Sequence, residues 1–116
     1  MDYQYINLSY FDENFGGDQA FIEEILDIFV QEVPEKISHL ATAIDTENWE
    51  QAAEIAHSIK ASVKMLGLQD LYTHIVTLEK QARENPDRTK MAQALQQATH
   101  ILETAQVEIQ HYLSNQ

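Results

Sequence analysis

The chain has 116 residues, a length suited to one domain with a single helical core. Its 19 acidic and 7 basic residues give a formal net charge of −12, a surface that repels nucleic-acid phosphates and anionic lipid, so neither is expected as a partner. Cysteine is absent, which excludes disulfides and thiolate metal sites. The opening Met-Asp-Tyr-Gln-Tyr shows no basic region followed by an apolar run, and no apolar segment of about 18 residues follows. A cytoplasmic protein is the expectation.

Only 3 Gly and 2 Pro interrupt the chain, which favours an all-α fold. Residues 1–17 form an aromatic lead-in with Tyr3, Tyr5, Tyr10, Phe11 and Phe15, closed by Gly16-Gly17. The spacing predicts a short helix near 7–14 covering one end of a bundle. Asp18 can cap the next helix, predicted over 18–45, where Phe21, Ile25, Phe29, Val33, Ile37, Leu40 and Ile44 make one apolar stripe. Pro34 falls inside it and is expected to bend or split it.

Asn48 and Gln51 stand at N-cap and N3 spacing and open a third helix over 48–66, which Gly67 ends. A fourth, near 68–84, aligns Leu68, Leu71, Tyr72, Ile75, Leu78 and Ala82 until Asn85-Pro86-Asp87 breaks the chain. The last, about 87–113, sets Met91, Leu95, Ala98, Leu102, Ala105, Ile109 and Tyr112 in alternating steps of four and three. Short connections between long helices predict an antiparallel up-down four-helix bundle with a short N-terminal capping helix. One domain is expected over 1–116, with the bundle at 18–114. A charged surface on a closed bundle points to a monomer. The initial methionine favours a free-standing protein, although an excised domain would read the same way.

The third helix carries the informative pattern. Ile55, Ile59, Val63 and Leu66, with Ala52, Ala56 and Ser62, fall between about 140° and 260° from His57 around the helix. Glu50, Ala53, Glu54, Lys60, Ala61 and Lys64 fall within about 60° of it. His57 therefore stands mid-helix on the face turned from the core. An ordinary solvated histidine would look the same, but two of only seven basic residues share this face, which suits an anionic group held near the ring. Ala61 leaves room for another protein to approach.

Imidazole, with an ordinary pKa of about 6.5, offers a neutral nucleophilic nitrogen at pH 7. Its phosphorylated form keeps a weak P–N bond and can pass the group on. There is no Gly-rich phosphate loop, so a phosphoryl donor must be another protein.

The run Ala56-His57-Ser58-Ile59-Lys60-Ala61-Ser62, followed by Leu66-Gly67-Leu68, resembles the signature of histidine-containing phosphotransfer (HPt) domains. Leu71 and Leu78-Glu79 fit the helix that follows, as do Phe21 to Phe29, the Asn48-Trp49 turn and the final long helix, so the likeness covers roughly 8–113. The resemblance implies a carrier without kinase activity of its own in a two-component phosphorelay. His57 would be the phosphoacceptor and Lys60 the auxiliary cation. A receiver domain of a hybrid histidine kinase would donate from its aspartate, and a receiver on a response regulator would take the group on. Magnesium belongs to the receiver, so no cofactor and no metal are expected on this chain. The family usually has glycine after the lysine, where this chain has Ala61, one methyl larger. Ala53, Glu54, Ala61 and Lys64 are expected to form the docking face, with the second helix as its adjoining wall.

Two other readings compete. A helical adaptor could bind a receiver without accepting phosphate, although His57 and Lys60 are both retained. A metal-binding bundle could use Glu54-x-x-His57 and Glu108-x-x-His111, the spacing of carboxylate-bridged di-iron sites. Against it, Glu54 and His57 point away from their helix's stripe, and Glu108 and His111 lie about 85° and 145° from the seam of theirs. His39, His74, His100 and His111 share no motif and read as surface or boundary side chains.

Overall fold

Asn7, Asp18, Asn48 and Asp87 each fold a side-chain oxygen back onto a backbone N–H three residues on, and each thereby starts a helix. The computed structural model describes residues 2–115, so Met1 and Gln116, the ends of the expected domain, lie outside the described residues. Its elements are α1 (Leu8–Phe15), α2 (Gln19–Asp45), α3 (Trp49–Met65), α4 (Gln69–Glu84) and α5 (Arg88–Ser114), with no strand among the described residues. The predicted ends agree within about one residue. At Asn48 the cap is reciprocal: its Oδ1 accepts from Gln51 N–H at 3.3 Å while its amide donates to Gln51 Oε1 at 3.1 Å.

Pro34 does not split α2, which runs unbroken from 19 to 45. Leu26, Phe29, Val33, Ile37 and Leu40 are buried on either side of it, and that packing outweighs one missing N–H bond. Phe21 departs from the predicted stripe. Its ring is 39% exposed and rests edge-on against Phe15 at 5.5 Å, while Ile22 enters the core in its place. The capping helix α1 brings Phe15 to this end and draws Phe21 outward.

The four long helices pack as a ring of neighbours, α2 on α3, α3 on α4, α4 on α5 and α5 on α2, with α1 laid against α2. Because α3 is covered on two sides, its buried arc is wider than its large apolar residues suggested. Ala52, Ala53 and Ala56 are all buried, their small side chains letting neighbouring helices come close. Ala53 therefore leaves the docking face: a helical wheel set it near His57, but packing covers it. Ile55 and Ser62, expected inside, are half-buried.

Two devices fasten the lead-in. Glu108, expected off the seam of α5, is instead buried, and its carboxylate accepts the backbone N–H groups of Gln4, Tyr5 and Ile6 at 2.7, 2.9 and 3.0 Å. A buried carboxylate needs such donors, and residues 4–6 have no helix to supply partners for those N–H groups. Nearby, the Tyr3 hydroxyl and His111 Nδ1 are 2.9 Å apart. At the α3–α4 turn, Gly67 holds φ +68°, and a Cβ there would lie 2.7 Å from the Tyr10 ring. Tyr10 also donates its hydroxyl proton to the Lys64 carbonyl at 3.0 Å, tying α1 to the end of α3.

Candidate functional site

Two helices build the site. α3 presents His57 with 63% of its side chain open to solvent, and α4 brings Glu79 beneath it, with a side chain only 11% exposed. His57 Nδ1 lies 3.1 Å from Glu79 Oε2. Lys60, one turn further along α3, places Nζ 2.8 Å from Glu79 Oε1. Arg83, one turn further along α4, brings Nη2 to 3.1 Å and Nε to 3.2 Å from Glu79 Oε2. One carboxylate thus gathers three nitrogen-bearing side chains.

Burial would raise the Glu79 pKa, but the hydrogen bonds from Lys60, Arg83 and His57 outweigh it and hold the group below its ordinary 4.5. Glu79 is therefore ionised at neutral pH and only accepts, which assigns the ring proton to Nδ1. Nε2 is the ring nitrogen that takes no part in this contact, on a side chain 63% exposed. That tautomer and exposure are what a nucleophilic imidazole needs.

Lys36 of α2 donates to Ser58 Oγ at 2.6 Å on the other side of α3, so a third lysine stands beside the residue that follows His57. Ala61, Lys64 and Glu54 are exposed around His57, as expected. Between α2 and α3, Ile25, Ile28, Phe29, Ser62, Met65 and Leu66 line a shallow apolar cleft of about 150 Å³, at which Ile28 and Met65 remain 47% and 45% exposed. A cleft of about 640 Å³ between α2 and α5, lined by Ala41, Arg88 and Leu95, shares no residue with the site. Among the described residues, no group of three or more His, Cys, Asp or Glu is placed to hold a metal ion.

Sequence reading brought His57, Lys60, Lys64 and Ala61 to one face, and they are there. It assigned no role to Glu79, Arg83 or Lys36. The i, i+4 pair of Glu79 and Arg83 was a visible signal, although nothing local says which helix it faces.

The site is thus one exposed histidine set over a largely buried carboxylate on the packed faces of two helices. The family model of the Hpt domain matches residues 24–108, a span that includes His57, Lys60, Glu79 and Arg83, and the chain belongs to this family. Hpt domains are helical phosphotransfer modules that work with receiver domains in phosphorelays and have no catalytic activity of their own. No curated protein and no solved structure matches the chain. Among the described residues, no helix is long and apolar enough to cross a membrane.

Proposed function

We propose that this chain is a phosphorelay shuttle, accepting a phosphoryl group on Nε2 of His57 from the aspartyl phosphate of one receiver and passing it to the aspartate of another. The observation that carries the reading is the Glu79 contact, an ionised acceptor 3.1 Å from Nδ1 that favours the Nδ1–H tautomer in a side chain 63% exposed. In the accepting step, the Nε2 lone pair attacks phosphorus and a P–N bond forms. The P–O bond to the aspartate breaks, and the carboxylate leaves with the electron pair. The ring, still carrying its Nδ1 proton, becomes cationic, and the ionised Glu79 faces that charge. In the onward step the next receiver's carboxylate attacks phosphorus, and the neutral imidazole departs with the P–N electron pair. Lys60 is the cation best placed to meet the phosphoryl oxygens.

A hybrid kinase and a response regulator would supply the two receivers and the magnesium, with this chain acting in the cytoplasm as a monomer and one domain. The docking face runs from His57 across Ala61 and Lys64 to the Ile28 and Met65 cleft, with α2 as the adjoining wall and Glu54 at its edge. An antiparallel order of the long helices belongs to this reading. It is supported by Lys36 pairing with Ser58 while the earlier Phe29 shares a cleft with the later Met65.

The test is to incubate the purified protein with phosphoramidate and locate any added phosphoryl group by mass spectrometry, beside His57→Gln. An acid-labile group on His57 that the variant lacks is the expected result. No label under conditions that modify an established Hpt domain would overturn the reading in favour of an adaptor that binds receivers without carrying phosphate.

A further inference from the structure

Lys60 has two tasks that it cannot perform together. At rest its ammonium is the partner of Glu79 Oε1 at 2.8 Å. Once a phosphoryl group sits on Nε2, the same ammonium is needed there. Leaving Glu79 would strip a cation from a carboxylate only 11% exposed, and an ion buried without its partner is costly.

Arg83 removes this conflict. Both its Nε and its Nη2 crowd onto Oε2, at 3.2 and 3.1 Å, so Oε1 is left to Lys60. A guanidinium is a planar fork whose two N–H groups match the two oxygens of a carboxylate. A small shift of that fork would set one N–H on each oxygen. The Arg83 side chain is 52% exposed and so has room to move. We propose that Arg83 is a positioning residue: a reserve counter-ion that takes over Oε1 and keeps Glu79 on His57 when Lys60 leaves for the phosphoryl group. The proposal rests on the phosphoacceptor reading of His57 and adds the exchange of cations that lets Lys60 serve it.

Without Arg83, Lys60 stays on Glu79 and the incoming phosphoryl group goes without that cation. Labelling of His57 by phosphoramidate in the full chain should then slow about two- to fivefold in Arg83→Ala, the range of one partly exposed ion pair. The discriminating readout is nitrogen NMR of the His57 ring in Arg83→Ala. Lys60 still holds Glu79 there, so the Nδ1–H tautomer should persist while labelling slows. An arginine that merely steadied Glu79 would slow labelling only by letting that tautomer go. Slowed labelling together with loss of the Nδ1–H tautomer, or an Arg83→Ala protein labelled at the parent rate, overturns the proposal. Circular dichroism melts monitor folding, and Arg83→Gln replaces Arg83→Ala if the alanine variant does not fold. A parent protein that takes no label at all overturns the phosphoacceptor reading itself, whereas a labelled parent with an indifferent Arg83 overturns only the cation exchange.

Discussion

Glu79 Oε2 lies 3.1 Å from His57 Nδ1, a contact that joins α4 to α3 across 22 residues. The carboxylate is ionised because Lys60 and Arg83 outweigh its burial, so the ring donates to it and never the reverse.

Glu79→Gln keeps the shape but loses the charge. Phosphoramidate labelling of His57 should slow about three- to tenfold, the scale of one charged hydrogen bond tempered by solvent. Nitrogen NMR of the His57 ring should show the Nε2–H tautomer gaining at the expense of Nδ1–H. An unchanged tautomer ratio would mean that Glu79 does not orient the ring.

The same residue links folding to pH. A carboxyl whose folded-state pKa is depressed stabilises the fold above its unfolded value, here 4.5, and loses that contribution as pH falls through the lower folded value. Denaturant melts should show Glu79→Gln less stable than the parent at pH 7, with the gap closing steadily as pH drops below about 4.5. A constant gap from pH 7 down to strong acid would contradict the linkage.

Gly67→Ala should lower stability by about 1–3 kcal/mol, because φ +68° disfavours a side chain and the new Cβ meets the Tyr10 ring at 2.7 Å. Adding Tyr10→Ala to Gly67→Ala should remove the clash while leaving the backbone cost, so the two changes should not be additive in a denaturant double-mutant cycle. Strict additivity would show that the ring and the turn do not touch.

Glu108→Ala should release the lead-in and leave the bundle folded. Three backbone N–H groups lose their acceptor, and hydrogen exchange at Gln4, Tyr5 and Ile6 should rise far more than at the core of α3. Equal loss of protection in both places would show that the strap is part of one cooperative unit.

Ala61→Trp and Ile59→Asp separate the two faces of α3. Ala61 is exposed beside His57, so tryptophan there should leave the circular dichroism melt nearly unchanged while hindering transfer from a receiver. Ile59 is fully buried, and an aspartate there should unfold the domain. A folded Ile59→Asp protein would put the helical register in error.

Much of this protein follows from residues a few places apart. Asn7, Asp18, Asn48 and Asp87 could be read as helix starts because a cap is a bond across three residues, and His57 could be placed outside the core because helical period alone sorts the faces of α3. Lys60 and Lys64 share the histidine's face for the same reason. Tertiary packing decided the rest. Glu79 reaches His57 across 22 residues, Lys36 reaches Ser58 from α2, and Glu108 turns inward to the N–H groups of a distant segment. Ala53 was hidden and Phe21 exposed by neighbours on other elements. Local hydrogen bonds and a fixed turn per residue set what one helix presents, whereas the rotation and register of one helix against another come from filling a shared core. The histidine was therefore legible in the sequence, and the carboxylate that orients it became visible only when α4 packed against α3.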